Sequence, residues 1–161
     1  MLLRSLFLFA LLALLSCRLE SRYKSGDTIS GKVVRIIDGD TFTLLTADQK
    51  QEKIRLYGID CPERKQPFGT VAKERLSELV FGKSVHVEFK TYDRWKRIVG
   101  VVFYEKENIN ESVLKCGLAW HFTKYDDNSK WRDMEKSARQ KKIGLWADAK
   151  PVPPWEWRNQ K

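Results

Sequence analysis

Between residues 29 and 57 the chain runs through three short stretches rich in apolar and β-branched residues, 29–37, 41–45 and 53–57. Asp38-Gly39 and the polar run 47–51 part them, so the segment reads as a three-stranded meander with tight turns. From Pro67 the period lengthens to that of a helix: Phe68, Val71, Ala72, Leu76, Leu79 and Val80 fall on one face, and Gly82 sits where such a helix stops. Strand periodicity then returns. Val85, Val87 and Phe89 alternate with His86 and Glu88, and residues 98–104 form a further apolar strand, the fifth. Two more helices complete the pattern. Asn110 is placed to cap one that runs through Val113 and Leu114 to Gly117. The other opens among residues 126–129 and carries Trp131, Met134 and Ala138 on one side; Lys141 and Lys142 end it ahead of Gly144, as the helix dipole favours. This order defines an α+β chain. The economical arrangement is a small closed five-stranded β-barrel of the OB type with three α-helices, which leaves no long exposed strand edge.

A length of 161 residues suits one such domain. Ahead of it, Arg4 and the apolar run 6–15 have the order of an export signal. That run is too short to span a membrane, which takes roughly 20 apolar residues. Leu14-Leu15-Ser16-Cys17 is similar to a bacterial lipobox, which makes Cys17 the candidate for lipid attachment and so for a membrane anchor. An ordinary cleaved leader with free secretion is the alternative. The expected layout is 1–16 as a signal peptide of lipoprotein type, 17–27 as a tether, 28–146 as the barrel domain and 147–161 as a Pro/Trp-rich tail. Trp155 and Trp157 would be a sticky patch if left in water, so the tail is expected to pack on the barrel. The formal net charge is +9, and loss of residues 1–16 would remove only Arg4, leaving +8. A field of that sign favours polyanions, nucleic acid or an anionic surface, without choosing between them. Cysteine spacing excludes a zinc site, and pairing of Cys61 with Cys116 stays open. A monomer is the default.

Candidate chemistry lies in a few short stretches. Asp40 follows the first tight turn and Asp60 ends the third strand segment. Two carboxylates at strand ends can share a hard cation, and an all-oxygen set completed by water suits Ca²⁺ better than zinc or copper. Arg55 precedes Asp60 in the same segment, and Arg97 opens a later strand. Two guanidiniums can grip one phosphate and stabilise the added charge of a pentacoordinate transition state. Glu63, just after Pro62, is free to orient an attacking water or accept its proton. Taken singly, each has a plainer role as a turn residue, a surface charge or a cap; their occurrence together in one order is what those roles leave unexplained. His86 points outward and His121 has no matched serine or cysteine, which argues against a hydrolytic triad.

Ile37-Asp38-Gly39-Asp40-Thr41, the run from Ile54-Arg55 through Tyr57-Gly58-Ile59-Asp60-Cys61-Pro62-Glu63, and Asp93-Arg94-Trp95-Lys96-Arg97 together resemble the staphylococcal nuclease (thermonuclease-like) family. Asn110-Glu111, Gly117-Leu118-Ala119, Gly144-Leu145-Trp146-Ala147 and the tail extend the likeness over about residues 28–157. The resemblance implies a calcium-dependent endo/exonuclease that hydrolyses DNA and RNA, single-stranded or locally unpaired by preference, to 3′-phosphate products. It implies Asp40 and Asp60 as calcium ligands with the backbone carbonyl of Cys61 as a third, Glu63 as general base, and Arg55 and Arg97 as the phosphate clamp. Cys61 stands where the type member has threonine, so a hydroxyl contact is lost while the carbonyl remains. Trp95 and Tyr125 are the candidates for stacking on bases, and Arg94, with Lys96, for drawing the substrate in; Trp120 is assigned to the core. The alternative function is a non-catalytic, nucleic-acid-binding OB-fold lipoprotein.

Overall fold

The computed structural model describes residues 22–160, so the leader, Cys17 and the start of the tether lie outside the described residues. Strands β1 (Thr28–Ile36), β2 (Thr41–Thr46) and β3 (Gln51–Leu56) form the expected antiparallel meander. A two-residue strand β4 (Ile59–Asp60) follows, then helix α1 (Gly69–Val80), and β5 (Ser84–Tyr92) and β6 (Ile98–Tyr104) make an antiparallel hairpin. The sheet runs β3-β2-β1-β5-β6, and β3 also pairs in parallel with β6 through Ile54↔Ile98, Arg55↔Val99 and Leu56↔Gly100. That pairing closes the five strands into a barrel. Register breaks at Val33/Arg35 in β1 and Phe89/Thr91 in β5 are bulges that bend the strands toward closure. Val33, Phe42, Leu44, Ile54, Val85, Val87 and Val102 fill the core with no exposed surface.

Helix α1 buries Ala72, Leu76, Leu79 and Val80 in this core, but Val71 is 48% exposed, against the expected face. One residue is about 100° of helix rotation, so once Ala72 faces inward Val71 turns toward water. A short strand β7 (Glu107–Asn108) leads into α2 (Ile109–Lys115). The cap of α2 is Asn108 rather than Asn110: the Asn108 side chain accepts from the Glu111 amide at 3.1 Å. Asn110 is fully buried, accepting from the Val102 amide at 3.0 Å and donating to the Tyr57 carbonyl at 2.9 Å, and so ties β6 to the segment after β3. Strand β8 (Trp120–His121) pairs with β4, and α3 (Ser129–Gln140) is capped by Asn128 and buries Trp131 and Ala138.

The tail packs on the barrel. Its α4 (Pro154–Trp157) buries Pro154 and lays the Trp155 ring on Phe122, with centroids 5.2 Å apart and planes 3° from parallel. Trp120 is buried and meets Trp146 and Trp155 edge-on, forming a second small core. Cys61 and Cys116 are both free thiols.

Candidate active site

The site starts from a close approach. A Cβ at Gly39 would lie 2.7 Å from that of Ala72 and 2.8 Å from that of Cys61, so only glycine lets the β1–β2 turn sit against α1 and the segment after β4. The Asp38 carboxylate accepts from the Asp40 amide at 3.1 Å, which holds the turn. Asp40 then enters β2 with its side chain buried, and the Leu56 amide donates to its carbonyl at 2.9 Å. Because Thr41 stands opposite Arg55 in the β2–β3 register, Arg55 is delivered beside Asp40. The β4–β8 ribbon brings Asp60 in from the other side.

Arg55 bridges the two carboxylates, donating to Asp40 Oδ1 at 2.6 Å and Asp60 Oδ1 at 2.7 Å. Both aspartates are almost wholly buried, at 3% and 1% exposure. Asp40 also accepts from the Thr41 hydroxyl at 2.9 Å and, through Oδ2, from the Cys61 amide at 3.0 Å. The backbone of position 61 is therefore fixed at the carboxylate pair whatever its side chain. The Cys61 thiol itself turns to the Gly39 carbonyl at 3.3 Å, and burial pushes its pKa well up, so it is an inert thiol.

Glu63 joins this centre through a residue from the tail. Arg158 donates to Asp60 Oδ2 at 2.8 Å, more weakly to Asp60 Oδ1 at 3.4 Å, and to Glu63 Oε1 at 2.7 Å. Sequence reasoning missed Arg158, which lies inside the assigned tail but just past the stretch of family likeness and has no motif of its own. It also missed Thr41, whose hydroxyl links Asp40 to Arg97 Nη1, 3.3 Å away.

Arg97 hangs from a turn. Asp93 accepts from the Trp95 and Arg97 amides at 2.9 Å each and from Arg97 Nε at 2.6 Å, while Lys96 takes a left-handed φ of 61° to complete the reversal. The exposed Trp95 ring packs under Arg94 and Arg97, 4.0 and 5.0 Å from their guanidinium carbons. Tyr125 is 60% exposed and edge-on to Phe122, and its carbonyl accepts from the Tyr57 hydroxyl at 2.6 Å. No direct contact joins it to the carboxylates. His121 is buried against Asp126 at 2.7 Å, with no nucleophile between them.

The charges are unequally compensated. Burial and the Asp40 charge push Asp38 up to about 7. Burial likewise raises Asp60 against the pull of Arg158 and Arg55. Burial opposes the Arg55 charge, but Asp40 and Asp60 more than offset it and hold its pKa above the ordinary range. Around Asp93 the Arg97 hydrogen bonds overcome burial, and its carboxyl is held low.

The fold and this cluster define a small closed OB-type barrel in which two buried carboxylates, a bridging arginine and a second arginine converge at one rim. Residues 53–148 match the model of the staphylococcal nuclease homologue family, and the chain belongs to that family. It is 44% identical over 129 residues to a Haemophilus influenzae protein named an uncharacterized endonuclease, covering 80% of this chain and 72% of that one. An Escherichia coli uncharacterized endonuclease is 41% identical over 134 residues, with 83% and 87% covered. A Shigella flexneri protein named micrococcal nuclease is 37% identical over 139 residues, with 80% and 79% covered.

Proposed function

We propose that the chain is a metal-dependent nuclease that hydrolyses phosphodiester bonds of DNA and RNA, with Ca²⁺ as the metal and 3′-phosphate ends as the product. The observation that carries this reading is the buried Asp40–Arg55–Asp60 centre with Arg97 beside it, in a chain whose relatives carry nuclease names.

The donor set fits a hard cation. Asp40 and Asp60 offer only oxygen, and two guanidiniums already supply cationic charge to them. Among the described residues no group of three or more His, Cys, Asp or Glu side chains is arranged to hold a metal. A calcium ion would therefore rest on Asp40, Asp60, the Cys61 carbonyl and water, as its tolerance for carbonyl and water ligands allows. When bound, such an ion polarises a phosphoryl oxygen and lowers the pKa of a bound water.

The protein's own groups supply the rest. Arg97 can exchange its loop partner Asp93 for a phosphate oxygen, and Arg55 presents a guanidinium already aligned by two carboxylates. Together they bind the scissile phosphate and stabilise the charge added in the transition state. Glu63, 38% exposed at its side chain, is the group that water can reach, and it accepts the proton of the attacking water. Trp95 and Tyr125 offer exposed faces to unpaired bases, and Arg94 adds to the attraction. Export, with either a lipid on Cys17 or free secretion, completes the reading on the strength of the leader pattern, with a monomer as the default.

The test is cleavage of single-stranded DNA and RNA by the full chain, with Ca²⁺ and with a chelator, followed by end-group analysis. Calcium-dependent cutting that leaves 3′-phosphates supports the proposal. Binding without cutting under every divalent ion would replace it with the non-catalytic barrel.

A further inference from the structure

Arg158 stands where sequence gives no reason to expect a charge, and it is placed with some care. The Val152 carbonyl accepts from Gln66 Nε2 at 2.6 Å, Pro154 is buried, and Trp155 lies flat on Phe122. These contacts bring the following turn, Arg158–Gln160, over the carboxylates. Both oxygens of Asp60 then accept from Arg158, and Oδ1 accepts from Arg55 as well. The Arg158 side chain is still 41% exposed, whereas that of Asp60 is 1% exposed.

This geometry leaves Asp60 little room for another cation. A calcium ion would sit about 2.3–2.6 Å from a carboxylate oxygen, and Arg158 Nη2 already lies 2.8 Å from Asp60 Oδ2. Two positive groups on one buried oxygen repel strongly at low dielectric. Trp155 and Pro154 are anchored independently of Asp60, so the guanidinium can leave by side-chain rotation into water while the tail stays docked.

We propose that Arg158 is an internal counter-cation for Asp60 and Glu63 which a divalent ion must displace, so that the C-terminal tail sets the affinity of the metal site. The proposal rests on the reading of Asp40 and Asp60 as metal ligands. In the metal-free chain Arg158 neutralises the pair and holds Glu63 to Asp60. Metal binding releases Arg158 from Asp60.

The experiment is calorimetric titration of Ca²⁺ into the full chain without nucleic acid, for wild type, Arg158→Ala and Arg158→Lys, with thermal unfolding in chelator and in saturating Ca²⁺. Arg158→Ala is expected to bind Ca²⁺ about fivefold more tightly, the worth of a half-exposed ion pair. Arg158→Lys, which keeps the charge but loses the fork, should fall between. By linkage, Arg158→Ala should melt below wild type in chelator, and the gap should close in saturating Ca²⁺, where wild type has already broken the pair. Equal or weaker Ca²⁺ binding by Arg158→Ala, or a melting gap that calcium leaves unchanged, overturns the proposal while leaving the metal reading intact. Absence of Ca²⁺ binding by folded wild type and both variants overturns the metal reading itself.

Discussion

Arg55 and Arg97 both have side chains 18% exposed, and they stand near the ends of adjacent parallel strands, but the company each keeps differs. Arg55 donates to two carboxylates exposed by only 4% and 1%, each held by the barrel. Arg97 donates to Asp93, a loop carboxylate 16% exposed and four residues away in sequence. Removing the first cation leaves the buried Asp40 without a cationic partner and Asp60 with Arg158 alone; removing the second leaves a carboxylate that water can reach. The comparison separates a guanidinium locked into the site's frame by two buried carboxylates from one held chiefly by a loop carboxylate, although in sequence the two look equivalent.

Arg55→Ala carries the largest expected effect. It should lower the unfolding free energy by about 3–5 kcal/mol, the cost of uncompensated buried charge, and abolish cleavage as well. Denaturant titration checks the first part; a variant as stable as wild type would break the comparison. Arg97→Ala should reduce the cleavage rate by about 10²–10³-fold, the usual worth of one transition-state charge donor. Its denaturation midpoint should stay close to wild type. A large loss of stability in Arg97→Ala would place it in the frame with Arg55.

The frame was largely legible in sequence because strand alternation and helical period report which residues face the core, and the five strands fall where those patterns end. That Asp40, Arg55, Asp60 and Arg97 gather was legible for a related reason: the first three sit near strand ends beside turns that Gly39 and Gly58 mark, and Arg97 follows the Asp93 turn. A closed barrel was expected, but the particular parallel β3–β6 pairing that closes it and the β4–β8 ribbon were not legible, since a two-residue strand has no periodicity and parallel pairing leaves no local signal. Arg158 was hidden for the same cause, because its partners lie 95 and 98 residues away. Asn110 shows the limit most directly. Asparagine near a helix start suggests a cap, yet two asparagines two apart cannot both cap, and the one that became the bridge was decided by burial. Asn110→Ala, which leaves the buried Val102 amide without a partner, should cost about 1–3 kcal/mol. Asn108→Ala should cost about 1 kcal/mol, as loss of a cap does. The reverse order in thermal unfolding would return Asn110 to the role its sequence suggested.

The rim beside the frame is built from exposed rings rather than buried charges. Trp95 and Tyr125 are 61% and 60% exposed, and cations lie over both rings, Arg94 and Arg97 at the first and Lys124 at the second. Neither ring supports the core, so Trp95→Ala and Tyr125→Ala should leave stability unchanged. Each should weaken binding of a single-stranded oligonucleotide by about 1–3 kcal/mol, the worth of one stacked base. Fluorescence anisotropy would measure this. If Tyr125→Ala binds as wild type does, the stacking surface narrows to Trp95 and the turn that carries Arg97.

Glu111 offers the finest comparison, because like Asp60 it is a carboxylate held by two cations. Lys130 and Lys115 lie 2.7 and 3.4 Å from its oxygens, and Trp131 Nε1 donates at 3.3 Å. Burial opposes its ionisation, but these three donors more than offset it and lower its pKa, whereas at Asp60 burial wins despite two guanidiniums. The difference follows first from depth, since the Asp60 side chain is 1% exposed against 12% for Glu111, and then from the Asp40 charge beside Asp60. A folded pKa below the unfolded one adds stability above the unfolded value, near 4.5, and loses it as pH falls through the folded one. Glu111→Gln should therefore melt slightly below wild type at pH 7, by less than about 1 kcal/mol because both lysines are exposed. That gap should shrink on acidification below about pH 4. A gap that is constant with pH would mean that Glu111 acts through packing and hydrogen bonding to Trp131 alone, and that exposed lysines do not offset burial even at this edge of the fold.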